Sequence, residues 1–456
     1  MAAPLEWESE LEDAGTPLSY DQLVSRVIAA QRTLLRKDLL SAAFGARCIA
    51  ACDWGSIEAG LEAGNFSAPV IRDLLRRVGD WVLVLPNPQC PAGPDLSSGD
   101  SSRAIVEKVY SEILIATKAL PAALMRRAIL GYFGPVALKM SLARKTRGRQ
   151  LGAVLRIAVD PAILVANVPG HLQMLCASPG EAAYFVKTHS CGLAQTMQSL
   201  KTPAGPVRGG EVFVYYLLHL LCIGCEVHVF GSSVGDTYVA TLDASRGGRF
   251  FEYEAISNNS QLREELLGPV LFDLVESRAP LQEMSQALAE CPMAKAFCRQ
   301  LLLLGLLEYL LCLTDLATNS GNFGFYAKPD GSFTLRVIDF GCSERPSGMF
   351  CAVIPGSGGR RRSAPRHDDD PLRKFCLVDR SNNVCELRSA VHDIMTTELG
   401  GWPDAISSAA ASARDTLARI ATVSDSETES FLEQIDIARE DSEENYKRVM
   451  VWVTAV

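Results

Sequence analysis

The chain lacks a long hydrophobic run, an excess of positive charge and several common catalytic fingerprints. Its apolar stretch at 301–313 is interrupted by Glu308 and is shorter than the roughly 20 residues that a membrane-spanning helix needs. The formal net charge of -9 argues against a general nucleic-acid binder, because phosphate contacts need clustered Lys and Arg. No His-Glu-x-x-His zinc helix, Gly-Lys-Ser/Thr phosphate loop or Gly-x-Gly-x-x-Gly fingerprint is present. We therefore expect neither nucleic-acid binding nor a membrane span.

A disulfide framework is not expected either, although the chain has 14 cysteines. Cys222, Cys312 and Cys351 lie in apolar runs, where a reduced cysteine acts as a small core residue. Cys222 and Cys225 have the spacing of metal ligands, but no second pair completes a zinc site. The first residues also lack the apolar core of a signal peptide. These features predict a cytoplasmic protein.

The length of 456 residues and a hydrophobic content of 48% indicate a globular chain of two or three domains. Helical spacing in the first part changes to short strands after about residue 150, and helices dominate again later. A segment near 86–102 is rich in Pro, Gly and Ser, as linkers are. The pattern predicts a mainly helical domain, a strand-rich part, a helical part and an acidic C-terminal helix or tail, at 1–150, 151–245, 246–423 and 424–456 respectively.

Within these parts, the local pattern predicts individual elements. Helical spacing continues through 105–142, and the composition of 171–176 favours a strand. Further strands, rich in Val, Phe and Tyr, are expected at 182–188, 227–230, 237–242 and 249–253. One helix interrupts them at about 211–223, with Gly224 at its C′ position. Later helices are expected at 261–313, 385–399 and 403–421.

A predicted hairpin carries the most informative residues. An apolar strand follows Asn322, a second one leads to Asp339, and the connection contains Pro329 and Gly331, which favour a tight turn. A side-chain amide and a carboxylate at the ends of adjacent strands are oxygen ligands that suit Mg²⁺. Together with Asp315 upstream, they suit a magnesium-bound nucleoside triphosphate. The sequence therefore predicts ATP and Mg²⁺ as cofactors.

Three earlier features fit the binding of phosphates. The turn that contains Ser178 and Gly180 can direct backbone N–H groups at an anion. Lys187 ends an apolar strand and would supply a cation, although a lysine in this position commonly reaches solvent. Glu211 opens the next helix, where the helix dipole also favours an acidic residue.

The order of these features resembles the protein-kinase-like superfamily. A glycine turn, a lysine, a helix glutamate, a long helix, an aspartate, an asparagine and Asp339-Phe340-Gly341 follow one another. The run Asn322-Phe323-Gly324-Phe325 is similar to the atypical HipA-like, actin-fragmin kinase-like and phosphatidylinositol 3-/4-kinase-like branches. This resemblance covers 163–400. It implies an α+β, bilobal fold with a small β-rich lobe at 151–245, a larger helical lobe at 246–423 and an additional N-terminal helical domain.

The resemblance also implies an activity and a role for each residue. The expected activity is ATP-dependent phosphorylation of a protein Ser or Thr. Lys187 and Glu211 would place the phosphates, with Glu226 as an alternative to Glu211. Asn322 and Asp339 would hold magnesium. Asp315 would orient the acceptor hydroxyl.

A departure from the pattern leaves alternatives open. Asp315 and Asn322 are seven positions apart rather than the five of ordinary protein kinases, so direct matching would put Ala317 in the catalytic position. A pseudokinase that acts as a nucleotide-binding scaffold is one alternative, and an enzyme that transfers AMP is another. A lipid acceptor is less favoured because no basic amphipathic helix is evident. The run at Arg360–Arg362 is the feature that favours an anionic substrate.

Overall fold

The structure, a computed structural model, shows a mixed α+β fold, which confirms the predicted class. It describes residues 125, 128–144, 152–159, 168–177, 181–188, 208–231, 237–244, 249–277, 279–316, 319–327, 332–346, 348, 350–354, 384–420 and 425–455. Most of the predicted N-terminal domain, with its linker, lies outside these residues. None of the described helices has the length and apolar character needed to cross a membrane.

The contacts divide the chain into two compact units. The first contains the described residues within Met1–Val207, His228–Thr241 and Thr416–Thr428. The second contains those within Arg208–Val227, Leu242–Asp415 and Glu429–Val456. The helix predicted at about 211–223 therefore groups with the later helices of the chain rather than with the strands on either side of it. The domain division proposed from sequence stays a prediction.

The first unit contains a five-stranded sheet. Its strands are β1 (Ala137–Arg144), β2 (Gly152–Val159), β3 (Glu181–Thr188), β4 (Val227–Gly231) and β5 (Thr237–Leu242), in the order β1-β2-β3-β5-β4. Strand β2 pairs antiparallel with both β1 and β3. A short helix, α1 (Gln173–Ala177), precedes β3. The strands predicted at 182–188, 227–230, 237–242 and 249–253 are confirmed, the last of them in the second unit.

Aromatic side chains fill part of the core of the first unit. Tyr132 stacks on Phe230 with ring centroids 4.5 Å apart, and its hydroxyl lies 3.3 Å from His228 Nδ1. Alternate residues of β3, among them Tyr184 and Val186, are fully buried against this core. This alternation is the period of two that a strand with one core face requires.

Two local predictions are wrong. The helical spacing predicted to continue to residue 142 gives way to strand β1, in which Met140 and Leu142 are buried while Leu138 is 59% exposed. Helix-forming residues occupy this strand because its pairing with β2 outweighs their propensity. The strand predicted at 171–176 is instead a 3-10 turn followed by α1, in which Leu172 and Leu175 are buried at helical spacing.

The second unit is mainly helical. Its helices are α2 (Gly209–Leu220), α3 (Tyr253–Asn258), α4 (Ser260–Leu267), α5 (Pro269–Glu276), α6 (Leu281–Glu290), α7 (Pro292–Leu310), α8 (Phe350–Val353), α9 (Val384–Thr397), α10 (Trp402–Asp415) and, from Glu429 onward, α11 (Asp425–Thr454). Its strands form two small sheets: β6 (Arg249–Glu252), β8 (Phe323–Ala327) and β9 (Phe333–Val337) in one, and β7 (Leu313–Thr314) with β10 (Gly341–Cys342) in the other. The predicted hairpin, β8–β9, is confirmed.

Helix α7 is the centre of the second unit. Every residue from Gln300 to Leu310 is buried, so the helix has no solvent face over its last three turns. The buried Gln300 side chain accepts a hydrogen bond from the backbone N–H of Leu335 in β9 at 2.9 Å. This bond fixes the hairpin to the helix that precedes the Asp315 loop.

Helix α2 ends two residues earlier than the position of Gly224 suggested. Cys222, with φ 56°, occupies the left-handed C′ position, and the N–H of Ile223 bonds to the carbonyl oxygen of Leu218 at 2.9 Å. This is a Schellman motif, so the predicted role of Gly224 as C′ is wrong. Gly224 is needed for a different reason, because a Cβ there would lie 2.8 Å from Cβ of Leu218.

Asn445 of α11 closes the C-terminal end of α7. Its amide nitrogen donates to the carbonyl oxygens of Tyr309 and Leu310, both at 3.3 Å. We expect Asn445→Leu to lower the free energy of unfolding by about 1–3 kcal/mol, because buried helix-end carbonyls lose a donor. Urea denaturation measures the change. The control is Glu444→Ala, which removes an exposed ion pair with Arg448 worth less than about 1 kcal/mol. Equal effects of the two substitutions would contradict the capping role.

Candidate functional site

One end of the β8–β9 hairpin brings Asn322 and Asp339 together. Phe323, the first residue of β8, pairs with Val337, the last residue of β9. Asn322 comes just before β8 and Asp339 just after β9, so both lie at the same end of the hairpin. The backbone carbonyl of Asn322 accepts hydrogen bonds from the N–H groups of Ile338 at 2.7 Å and Asp339 at 3.1 Å. The two residues predicted as metal ligands are therefore immediate neighbours.

The loop that starts at Asp315 folds back onto Asn322. The N–H of Asn319 donates to the carbonyl oxygen of Asp315 at 3.2 Å. The side-chain amide of Asn322 donates to the same carbonyl at 3.4 Å. Asn319 and Asn322 therefore both contact the backbone carbonyl of Asp315. Ala317, the alternative position, lies outside the described residues.

The Asp315 backbone has a special conformation. Its φ is 67°, in the left-handed region that aspartate and asparagine tolerate better than most residues. Its side chain is exposed. The preceding residue, Thr314, pairs with Gly341 in the β7–β10 ladder, and a Cβ at Gly341 would lie 2.7 Å from Oγ1 of Thr314. The ladder therefore places Asp315 beside the Asp339-Phe340-Gly341 segment, and a side chain at 341 would require the Thr314 hydroxyl to move.

Two donors orient the carboxylate of Asp339. Its Oδ1 accepts a hydrogen bond from the backbone N–H of Phe340 at 2.9 Å. The hydroxyl of Tyr215, on α2, donates to the same oxygen at 3.2 Å. The Tyr215 ring also packs against the Phe340 ring with centroids 4.4 Å apart. A charged acceptor with two donors is held in one orientation more firmly than an exposed carboxylate.

Tyr215 is a site residue that the sequence reasoning missed. It is buried, and its pKa is raised well above the ordinary value, first by burial and then by the negative charges of Asp339 and Glu211. A signal was present in the sequence, because Tyr215 follows Glu211 by four residues and so lies on the same face of the helix. Glu211 and Tyr215 are therefore neighbours on one face of α2.

The predicted phosphate-binding residues are less completely described. Ser178 and Gly180 lie outside the described residues. Lys187 lies in β3 of the first unit, opposite Gly152 of β2. It is only 9% exposed, so the expectation that a lysine at a strand end reaches solvent is wrong here. Lysine is seldom buried unless its charge is compensated, which makes Lys187 a stronger functional candidate than its sequence context alone suggested. Glu226, the alternative to Glu211, follows α2 by several residues and lies outside the helix.

The residues at the hairpin end fit a magnesium ion by their chemistry. The amide nitrogen of Asn322 is directed at the Asp315 carbonyl, which leaves the amide oxygen as the atom of that group able to bind a cation. Asp339 supplies a carboxylate, and oxygen ligands of this kind are those that Mg²⁺ binds while it retains several waters. Among the described residues, no cluster of three His, Cys, Asp or Glu side chains offers an all-protein metal site. A site of two protein ligands is the type that binds magnesium together with a phosphate ligand.

Comparison of the chain with protein-family models, with curated proteins and with solved structures gives no significant match. The functional interpretation therefore depends on the geometry of the site.

Proposed function

We propose that the chain is a magnesium- and ATP-dependent phosphotransferase of the protein-kinase-like type, with a bilobal fold and a Ser or Thr hydroxyl of a protein as acceptor. The observation that carries this proposal is the grouping of Asp315, Asn322 and Asp339 at one end of the β8–β9 hairpin. Phosphoryl transfer depends mainly on positioning and charge neutralisation, and Asn322 and Asp339 would hold the magnesium ion that neutralises the charge of the phosphates.

The order of the elements supports the same proposal. A helix, α2, follows β3 in the chain, and helix α7, whose residues 300–310 are all buried, leads into the Asp315 loop. Strands β7 and β10, which lie before and after the hairpin in the chain, pair with each other. This pairing joins the start of the Asp315 loop to the Asp339-Phe340-Gly341 segment. The helix after β3 and the long helix before Asp315 were expected from the resemblance noted in the sequence, whereas the β7–β10 pairing was not predicted.

In the proposed reaction, Asn322 and Asp339 would hold the magnesium ion through the amide oxygen and the carboxylate. When bound, the metal would neutralise charge on the phosphates of ATP. Asp315 would accept the proton of the acceptor hydroxyl, and its exposed side chain is accessible to a macromolecular substrate. The loop bonds from Asn319 and Asn322 would hold the Asp315 backbone in place during this step. The contribution of Lys187 to phosphate binding stays a prediction.

The test is nucleotide binding followed by transfer. Thermal unfolding of the purified chain is measured with ATP in the presence of magnesium and in the presence of a chelator. Bound ligand at a hundredfold excess over its dissociation constant stabilises a protein by about 2.7 kcal/mol, which is readily measured. A magnesium-dependent shift supports the site, and the absence of any shift contradicts it.

Transfer is then measured with two labels. Incorporation of label from the γ-phosphate of ATP into protein supports the phosphotransferase. Incorporation from the α-phosphate would instead indicate the transfer of AMP. Magnesium-dependent binding without incorporation of either label, over a panel of protein acceptors, would favour the nucleotide-binding scaffold. The seven-residue separation of Asp315 and Asn322 is the observation that keeps this second candidate open.

Asp315→Asn separates chemistry from binding. Asparagine tolerates the left-handed backbone at this position, so the loop is expected to keep its conformation while the proton acceptor is lost. We expect kcat to fall by about a hundredfold to ten-thousandfold, with the affinity for magnesium and ATP unchanged. The control is Glu254→Gln, because Glu254 is an exposed carboxylate beside Gly321 of the same loop. Full activity of Asp315→Asn would exclude Asp315 as the general base.

A further inference from the structure

A hydrogen bond of the Tyr215 side chain joins helix α2 to the predicted metal-binding carboxylate. Its hydroxyl lies 3.2 Å from Oδ1 of Asp339, and its ring lies against Phe340. The side chain is 5% exposed, so the hydroxyl donates within the protein. A phenylalanine would make the same ring contact without a hydroxyl, so the contact with Phe340 does not by itself explain a tyrosine here.

The chemistry of the hydroxyl suits a permanent donor. The hydroxyl of an ordinary tyrosine is protonated at neutral pH, and here its oxygen lies 3.2 Å from Oδ1 of Asp339. A phenol next to an ionised carboxylate then donates to it. Because Phe340 N–H donates to the same oxygen, the orientation of the carboxylate about its side-chain bonds is fixed from two directions.

Helix α2, which carries this hydroxyl, is itself held by hydrogen bonds at both of its ends. At its C-terminal end, the guanidinium of Arg336 bonds to the carbonyl oxygen of Cys222, and the N–H of Val337 donates to the carbonyl of Ile223 at 2.9 Å. At its N-terminal end, the N–H of Gly209 donates to the side-chain oxygen of Gln434 in α11 at 3.0 Å. The hydroxyl is therefore presented to Asp339 by a helix that the same unit fixes in position.

We propose that Tyr215 is a positioning residue that holds the carboxylate of Asp339 in the orientation for binding a divalent metal, and that α2 sets the metal affinity of the site through it. The proposal rests on the proposed function, since it requires Asp339 to be a metal ligand. Residues that orient metal ligands by hydrogen bonds change metal affinity by about 10-fold to 100-fold when they are replaced.

Tyr215→Phe tests the proposal in the full-length chain, because it removes the hydroxyl and keeps the ring. Mg²⁺ is titrated by calorimetry into protein saturated with a non-hydrolysable ATP analogue. We expect the dissociation constant for Mg²⁺ to rise by about 10-fold or more. The transfer activity of Tyr215→Phe is expected to be low at limiting magnesium and to recover at saturating magnesium. A variant that had lost its structure would not recover in this way. The control is Tyr446→Phe, a half-buried tyrosine of α11 that stacks on Trp402.

The outcomes separate this inference from the proposed function. If the wild type binds Mg²⁺ and Tyr215→Phe binds it with the same affinity, the positioning role is overturned and the proposed function is left intact. A loss of activity that magnesium does not restore, at unchanged metal affinity, would also overturn it. No metal-dependent binding of nucleotide by the wild type would overturn both.

Discussion

Substitution of Asp339 by asparagine is expected to abolish the magnesium-dependent stabilisation of the protein by ATP. The carboxylate is the charged member of the proposed ligand pair, and asparagine keeps its shape while it removes the charge. The oxygen of the new amide can still accept from Phe340 N–H and Tyr215, so the apo protein is expected to keep its fold. At a hundredfold excess of ligand the wild type gains about 2.7 kcal/mol, and the variant is expected to gain almost none of this.

The activity of the same variant is expected to fall by at least about a hundredfold, which is the scale of effect seen when one group that stabilises transition-state charge is removed. The control is Asp404→Asn, which neutralises an exposed carboxylate in the first turn of α10. Its effect on nucleotide binding should be negligible. A magnesium-dependent thermal shift that persists in Asp339→Asn would contradict the assignment of Asp339 as a metal ligand. The main support for a phosphotransferase would then be lost.

Gly209→Ala is expected to lower the free energy of unfolding by about 2–3 kcal/mol, the upper part of the range for an overpacked core. Gly209 is the first residue of α2, and a Cβ there would lie 2.1 Å from the carbonyl oxygen of Phe431 in α11. The obstacle is backbone and cannot rotate away, so the two helices would have to separate. Helix propensity by itself predicts the opposite sign, because alanine is favoured over glycine in a helix by about 0.5–1 kcal/mol.

Steric overlap predicts that Gly209→Ala lowers the free energy of unfolding, and helix propensity predicts that it raises it. The sign of the measured change therefore decides between them. Urea denaturation gives the change in the free energy of unfolding from the midpoint and the slope. The control is Gly401→Ala, because a Cβ at Gly401 meets no atom within 4 Å, and the expected change there is small. Since α2 also carries Tyr215, Gly209→Ala should weaken magnesium binding as well. A Gly209→Ala protein as stable as the wild type would show that α2 and α11 do not approach this closely in solution.

Local sequence signals succeeded where the interactions are local. The β8–β9 hairpin was predicted because two apolar strands flank a connection with Pro329 and Gly331, and the ladder joins residues close in the chain. The proximity of Asn322 and Asp339 follows from that hairpin. The catalytic role of Asp315 stays a prediction, although the Asn319 N–H bonds to its carbonyl oxygen.

Predictions failed where pairing with another strand, or bonding to one, overrides local preference. Residues 137–142 are rich in helix formers, yet they form β1 because β2 offers a partner over seven paired positions. The end of α2 is similar. Gly224 is the residue that a C′ position prefers, but Cys222 takes the left-handed conformation, and the carbonyl groups of this turn instead bond to Arg336 and Val337 of β9.

The sequence alone determined the α+β class, most strands and helices, and the pairing of an amide with a carboxylate at a hairpin end, because each depends on periodicity or turn chemistry within a short segment. Only the tertiary structure decided that Tyr215 donates to Asp339, 124 residues away, and that the N–H of Gly209 bonds to Gln434, 225 residues away. Contacts at such separations leave no periodic trace in the chain, since they arise from the packing of helices whose own patterns specify only which face is buried.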